Sequence, residues 1–311
     1  MVTILTKSLG HVMLINFLSN VFEGESLNVD LHMHSTASDG RLSPAQLVEL
    51  CQQRQLRSIA LTDHDTMDGV EEAQRRGGEL GVQVLPATEL SSQWRGINIH
   101  VVGLLPSGNQ SPLSDGLERQ AKAREQRSAV IAERLEKRGL SDALLRARKA
   151  AGGDRPLGRP DFARALVDAG MVADMKTAFA RYLGNGKPGD VKAMWPYLSE
   201  VVDWIVCAGG VAVLAHPLHY GLTRRKRGQL LDDFCEAGGQ AAELVSGFQN
   251  PDMTRDLARQ LHDRELYGSV GSDFHFPGGH LAPGSMSPVP CTAVPPVWTH
   301  PRLQAFFGQA A

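Results

Sequence analysis

The sequence predicts an α/β fold with a parallel sheet, because short apolar runs typical of strands alternate with helical segments along much of its 311 residues. The first three strands and two helices follow one another in the order βαβαβ. Polar residues also follow most of the predicted strands, and α/β enzymes place their active sites at that end of the sheet. A long charged helical stretch interrupts this rhythm and predicts an insertion between two parts of one domain.

The first part of the predicted domain begins at residue 29. Strands are predicted at 29–34, 58–62 and 82–87, separated by helices that end near residues 53 and 80. Ser43 is suited to cap the first helix and Pro44 to open it, because proline tolerates the first helical position. We expect residues 1–28 to be a separate N-terminal extension. Their apolar run, 12–22, is too short to span a bilayer and has no cleavage site after it.

The predicted insertion covers residues 107–192. Arg, Lys, Glu and Ala dominate residues 116–151, two short helices are expected after them, and a loop rich in glycine follows at 184–189. Predicted strands and helices then alternate again up to a last strand at 268–271. The sequence therefore predicts a discontinuous domain, 29–106 and 193–311, that carries a helical insertion.

Composition excludes several classes of protein. The chain is 42% hydrophobic and 21% charged, as in ordinary globular proteins, and we expect no membrane association. Its net charge of -2 provides no general attraction to nucleic acid, so a polyanion would need a local cleft. The four cysteines form no CxxC pair, which argues against a zinc knuckle or a disulfide framework and favours a cytoplasmic protein.

Histidines and carboxylates at the predicted strand ends indicate a metal centre. In His32-Met33-His34 the two imidazoles project to the same side, because side chains alternate along a strand. This pair alone would be weak evidence, but the pattern recurs at other strand ends. Imidazoles together with carboxylates suit Mn, Fe or Zn, and so many histidines exceed the needs of one ion. The sequence therefore predicts two or three divalent metals, an arrangement that promotes phosphoryl displacement.

These motifs, taken in order, resemble those of the polymerase and histidinol phosphatase (PHP) family. The resemblance runs over roughly residues 29–276. It is strongest for the branch of nucleoside 3′,5′-bisphosphate phosphatases and RNase AM, because phrases in the insertion such as Gly158-Arg159-Pro160 and Gly186-Lys187-Pro188-Gly189 are similar too. The motifs that carry it are Asp30-Leu31-His32-Met33-His34-Ser35-Thr36, Thr62-Asp63-His64-Asp65, Glu89, His100, Ala215-His216-Pro217 and Gly271-Ser272-Asp273-Phe274-His275.

The resemblance implies a distorted seven-stranded α/β barrel with a trinuclear, usually manganese, site. Glu89 would bridge two metals, and a metal-activated hydroxide would attack the phosphorus. Asp30 and Asp63 would accept hydrogen bonds from ligand imidazoles, although Asp63 could instead be a loop or helix-cap residue. The implied ligands are His32, His34, Glu89 and Asp273 for the first metal, Glu89, His100 and His216 for the second, and Asp39, His64 and His275 for the third.

The substrate contacts are less certain from the sequence. Arg159 and Lys187 would flank the metals and bind phosphate, although Lys187 could equally be a solvated loop residue. Where relatives commonly have His after Gly-Arg-Pro this chain has Asp161, and it has His219 where they commonly have Arg. We expect both positions to face the substrate. The basic run 224–227 is more typical of an exposed helix start than of an RNA contact, and the four tryptophans are more typical of core residues than of base-stacking platforms.

The function expected from the sequence is hydrolysis of phosphate esters in nucleotides. The enzyme would remove the 3′-phosphate of nucleoside 3′,5′-bisphosphates, trim short RNA from its 5′ end, or do both. One alternative is a phosphomonoesterase for another small metabolite such as histidinol phosphate. Another is a non-catalytic metal-binding module. No obligate protein partner is implied.

Overall fold

A sheet of seven strands forms the centre of the fold. The computed structural model describes residues 28–192 and 194–308, so the expected N-terminal extension lies outside the described residues except for its last one. The strands are adjacent in chain order. They are β1 (Val29–Asp30), β2 (Ser58–Leu61), β3 (Gln83–Trp94), β4 (Ile97–Leu104), β5 (Val211–Leu214), β6 (Ala241–Ser246) and β7 (Tyr267–Gly271).

The sheet closes into a barrel, as the resemblance implied, but it is not wholly parallel. Strand β4 runs antiparallel to both β3 and β5, whereas the other neighbours are parallel. The physical reason is the two-residue turn Arg95-Gly96, in which both residues have positive φ; such a turn joins antiparallel strands, whereas parallel strands need a long crossover. The barrel closes between its first and last strands, where Leu31 N donates to Val270 O at 3.0 Å.

Helices cover the outside of the barrel. In chain order these are α1 (Pro44–Gln53) and α2 (Val70–Leu80), then, after the insertion, α7 (Leu198–Cys207), α8 (Arg224–Glu236) and α9 (Pro251–His262). The predicted cap of α1 is confirmed, since Ser43 Oγ accepts from Gln46 N. Helix α8 begins six residues before its predicted start at residue 230, because Thr223 caps it, so the basic run forms an exposed helix start.

The helices between β4 and α7 pack on a core of their own. They are α3 (Leu113–Glu136), α4 (Ala143–Ala151), α5 (Arg159–Asp168), α6 (Met175–Ala178) and a π-helical turn, Phe179–Leu183. Their buried side chains, among them Ile131, Phe162 and Leu183, form a cluster separate from the barrel core. The first half of α3 instead packs on the barrel, where Gly116 lets it approach the ring of Trp204 closely. Within the described residues, no helix is long and apolar enough to cross a membrane.

Candidate metal centre

The strand ends bring together all nine metal ligands expected from the sequence. Strands β3 and β4 contribute from within the strand, and the others contribute from the loops that follow them. The side chains come from the segment after β1 (His32, His34, Asp39), from the loop after β2 (His64), from β3 (Glu89) and β4 (His100), and from the loops after β5 (His216) and β7 (Asp273, His275).

The ligand atoms of four of these side chains lie close to one another. His32 Nε2 lies 3.1 Å from His34 Nε2. Asp273 Oδ1 is 3.5 and 3.4 Å from these two nitrogens, and Glu89 Oε2 is 3.3 and 3.4 Å from them. Ligands bound at about 2.1 Å around one divalent ion are separated by about 3.0 to 3.5 Å. The spacing fits a single metal held by His32, His34 and Asp273, with Glu89 Oε2 close to both imidazole nitrogens.

Glu89 lies between this group and two further histidines. Its Oε1 is 2.9 Å from both His100 Nδ1 and His216 Nε2. Its Oε2 faces the first group and is also 2.9 Å from His64 Nδ1. A carboxylate with an oxygen directed to each side has the geometry of a bridge between two metals.

A third group surrounds Asp39 in the loop after β1. Asp39 Oδ1 lies 3.4 Å from His275 Nε2 and 4.0 Å from His34 Nδ1, and Asp39 Oδ2 lies 3.9 Å from His64 Nε2. These four side chains can bring one ligand atom each within 4.8 Å of the others. His34 therefore directs one ring nitrogen to the first group and the other to the third.

The cluster shifts the pKa values of its members strongly. Burial, with the nearby charge of His275, lowers the pKa of His34 to about 3, so its ring is neutral at physiological pH. Burial acts against ionisation of Glu89, yet the charges of His100, His64 and His32 hold its pKa well below the usual range. Neutral imidazole and ionised carboxylate are the forms that bind metal.

Several buried atoms of the cluster have no hydrogen-bond partner in the described part of the chain. Such atoms cost about 1 to 3 kcal/mol each when they are left unsatisfied. Divalent cations would satisfy them, and the donor set of imidazoles and carboxylates suits Mn, Fe or Zn. The atoms are His34 Nδ1, Asp39 Oδ1, His64 Nδ1 and Glu89 Oε2.

Glu243 in β6 is a functional residue that the sequence analysis missed. Its Oε1 lies 2.7 Å from His32 Nδ1, and its Oε2 accepts from the backbone N–H of His216 at 2.6 Å. This carboxylate orients the His32 ring, which is the role we had expected of Asp30 and Asp63. That expectation was wrong. Asp30 accepts from backbone N–H groups, including that of Ser272, because it joins the first strand to the last.

Asp63 also accepts no hydrogen bond from an imidazole of the described residues. Its carboxylate accepts from Ser35 N and Ser35 Oγ at 2.8 and 2.6 Å and from Ser38 Oγ at 2.5 Å, so it holds the loop that carries Asp39. It is the loop residue that the sequence left open as the alternative. Two ligands themselves have strained backbones, since φ is 31° at His216 and 55° at Asp273.

A cavity of about 360 Å³ opens beside the cluster. Its wall includes the ligands His100, His216 and Asp273, together with the expected substrate residues Arg159 and His219. The ring of His219 stacks on that of His216 with 5.5 Å between centroids, so His219 faces the cavity as expected. Lys192 also lines this cavity, where we had expected Lys187.

Three arginines form a second pocket next to the third metal group. Arg124, Arg127 and Arg159 line it together with Trp195, and we call it the arginine pocket. Asp65 fixes Arg124 by an ion pair of 2.7 Å. Arg127 is buried and its Nε has no hydrogen-bond partner among the described residues. Burial and the charges of Arg159 and Arg124 lower the pKa of Arg127 to about 9.

Two sequence-based expectations about the substrate contacts were wrong. Lys187 lies outside the cavity, in a separate surface groove, because the loop that carries it turns away at Gly186. Asp161 is fully buried and pairs with Arg155 and Arg164 while it accepts from the backbone N–H of Gly158, so it caps helix α5 instead of facing the substrate. The tryptophans are buried as expected, although Trp195 also borders the arginine pocket.

Comparisons with known proteins agree with this geometry. Residues 30–148 match the PHP domain. The chain is 40% identical to a 5′-3′ exoribonuclease of Haemophilus influenzae over 86% of this chain and 97% of the relative. It is 39% identical to a 3′,5′-nucleoside bisphosphate phosphatase of Chromobacterium violaceum over 81% of this chain and 88% of that one.

A solved structure from Chromobacterium violaceum, described as an amidohydrolase with bound sulfate and no metal, superposes with a TM-score of 0.83. It is 37% identical to this chain, and the match covers 90% of this chain and 96% of that one. The fold, the ordered motifs and the length of the matches all agree with the resemblance seen in the sequence. The chain therefore belongs to the PHP family of metal-dependent phosphoesterases.

Proposed function

We propose that this chain hydrolyses nucleotide phosphate esters at a cluster of two or three divalent metals. It would remove the 3′-phosphate of nucleoside 3′,5′-bisphosphates and trim short RNA from its 5′ end with the same cluster. The observation that carries this proposal is the arginine pocket beside the cluster, because both substrates place a second phosphate one nucleotide away from the bond that is cut. The names of the relatives from Haemophilus influenzae and Chromobacterium violaceum support the same two reactions.

The nine side chains at the strand ends would hold the metals, with Glu89 as the bridge. Manganese is the ion we favour, with iron or zinc as the alternatives, since six of the ligands are imidazoles. Bound divalent metals would supply Lewis acidity and an activated water for in-line attack on phosphorus. Glu243 would keep the Nε2 atom of His32 directed at the metals by holding its other ring nitrogen.

The arginine pocket would bind the substrate's second phosphate. Three guanidinium groups repel one another there, and a phosphate would relieve that repulsion while it accepts their hydrogen bonds. Arg159 borders both the pocket and the cavity, and among the described residues its side chain has one long hydrogen bond, 3.5 Å to Leu183 O. The indole of Trp195, at 5.5 Å from the guanidinium carbons of Arg124 and Arg127, limits how far these groups can move.

The remaining cavity residues would contact the rest of the nucleotide. His219 and Lys192 line the cavity but not the arginine pocket, so they form a part of its opening away from that pocket. A nucleotide with its 5′-phosphate on the arginines and its 3′-phosphate on the cluster would therefore direct any following nucleotides toward this opening. A cytoplasmic location is supported by the four cysteines, which are free thiols.

The alternative of a phosphatase for a small monophosphate explains less of the geometry. Such a substrate would leave Arg127, which is buried, and Arg159 without a partner anion among the described residues. A non-catalytic metal module would need neither the cavity nor the arginines. The second phosphate is thus the feature that separates the proposed substrate from its competitors.

The proposal is tested by phosphate release from adenosine 3′,5′-bisphosphate after chelation and after readdition of manganese. We expect chelation to abolish release, manganese to restore it and the product to be adenosine 5′-monophosphate. Glu89→Gln is the matched control, because it removes the bridging charge while it keeps the size of the side chain. Full activity of the chelated protein, or of Glu89→Gln, would refute the metal cluster as the catalyst.

A further inference from the structure

We propose that a basic groove on the helical insertion binds the phosphates of an RNA substrate on the 3′ side of the bond that is cut. This inference rests on the proposed function and deepens it, because it makes the extended RNA strand a substrate with its own binding surface. The groove encloses about 630 Å³ and is the one in which Lys187 lies. We call it the basic groove; its residues are Arg134, Lys137, Arg138, Gly186, Lys187 and Pro188.

The charge of the basic groove is only partly neutralised. All four of its cationic residues are exposed, and the groove has no acidic residue in its wall. Lys137 pairs with Glu133 at 2.6 Å on the same helix. The side chains of Arg138 and Lys187 form no ion pair or hydrogen bond with other described residues. At least two positive charges are therefore free to meet an anion, in a protein whose net charge is -2.

A single loop separates the basic groove from the catalytic cavity. Asn185 and Asp190 of this loop face the cavity, whereas the residues between them, 186–188, face the groove. The loop is held firmly, because Arg134 donates to the backbone oxygens of Pro188 and Asp190 at 3.2 Å each. Asp190 Oδ2 also accepts from Gly186 N at 2.8 Å. A strand that leaves the cavity over Asn185 would meet the groove next.

The 5′ to 3′ direction of the bound RNA determines where the strand leaves the cavity. With the first nucleotide between the arginine pocket and the metals, the chain beyond the scissile phosphate would leave through the part of the cavity outside the arginine pocket, which Asn185 and Lys192 line. Proteins that bind single strands without sequence preference use positively charged grooves that follow the backbone. The basic groove lies where such a strand would continue, so Lys187 would contact RNA there and not at the metals.

The test compares a groove variant with a matched control on substrates of different length. The groove variant is Arg138→Gln with Lys187→Gln, and the control is Arg57→Gln with Arg259→Gln. The control residues are equally exposed and unpaired among the described residues, but they lie near the opposite end of the barrel. The substrates are adenosine 3′,5′-bisphosphate and 5′-phosphorylated oligoadenylates of two and eight nucleotides.

We expect the groove variant to lower kcat/KM for the eight-nucleotide RNA about three- to tenfold and to leave the two shorter substrates unchanged. The slope of log kcat/KM against log salt concentration should become shallower by about 0.7 for each lost contact. The control should match the wild type on all three substrates. An equal loss on the bisphosphate, or a loss on the eight-mer no greater than that of the control, would overturn the proposal.

Binding provides a readout that does not depend on turnover. Fluorescence anisotropy of a labelled eight-mer on Glu89→Gln, with and without the groove substitutions, should show weaker binding when the groove is neutralised. Unchanged affinity would overturn the groove even if the enzyme is active. Conversely, loss of affinity together with no hydrolysis of any nucleotide by the wild type would support the groove and refute the proposed function.

Discussion

Arg127→Met should have opposite effects on stability and on activity. A guanidinium whose pKa falls from 12.5 to about 9 stays charged in the folded protein at a cost on the order of 5 kcal/mol. The cation–π contact with the Trp195 ring offsets about 0.5 to 2 kcal/mol of this free-energy cost. Methionine fills a similar buried space without a charge. We therefore expect a gain of about 3 to 4 kcal/mol, which corresponds to roughly 6 to 16 °C in Tm.

The same substitution should impair catalysis on the bisphosphate. A charge-assisted hydrogen bond contributes about 1.5 to 3 kcal/mol, so losing it should lower kcat/KM about ten- to hundredfold for adenosine 3′,5′-bisphosphate. The assays are thermal unfolding and phosphate release. Arg119→Met is a matched control on the same helix, because Arg119 also lies over a tryptophan ring but is exposed and paired with Glu200. A lower Tm with unchanged kcat/KM in Arg127→Met would refute the reasoning and make Arg127 a structural residue.

Three further outcomes follow from the site. Glu243→Gln should raise the manganese concentration needed for half-maximal activity about ten- to hundredfold, while the circular dichroism spectrum stays unchanged. An unchanged manganese requirement would show that Glu243 does not orient His32. Chelation should lower Tm, because ligands present at 100 times their Kd stabilise the folded state by about 2.7 kcal/mol; an unchanged Tm would contradict tight metal binding. Asp161→Asn should cost about 2 to 4 kcal/mol of stability, measured by urea unfolding, since Arg155 and Arg164 lose their buried partner. A loss of kcat/KM without loss of stability would instead place Asp161 at the substrate.

The meeting of the expected metal ligands could be predicted because most of them follow strands whose carboxyl ends meet at one rim, whereas Glu89 and His100 lie within strands. The strand β4 was harder to predict, since a turn of only two residues, Arg95-Gly96, marks the change to antiparallel pairing. Glu243 left one signal, a single carboxylate inside an otherwise apolar strand, and a buried charge of that kind needs a partner. That signal indicates a buried role, although it does not identify His32 as the partner.

The arginine pocket could not be predicted from the pattern of charges. Arg124 and Arg127 stand in a helix where Arg, Lys and Glu are common, and nothing local distinguishes them from the exposed cations of the same helix. Their burial depends on Trp195, which arrives from a distant segment. The sequence pattern also could not show which of Lys187 and Lys192 faces the cavity, because this depends on the path of one loop.

In the proposed function, a metal cluster and an arginine pocket act together on one nucleotide. The most direct measurement is the ratio of kcat/KM for adenosine 3′,5′-bisphosphate to that for adenosine 3′-monophosphate, with manganese present. The two substrates differ only in the 5′-phosphate that the arginine pocket would bind. Because one charged phosphate contact contributes about 1.5 to 3 kcal/mol, we expect the bisphosphate to be preferred at least about tenfold. Equal values for the two substrates would contradict the account.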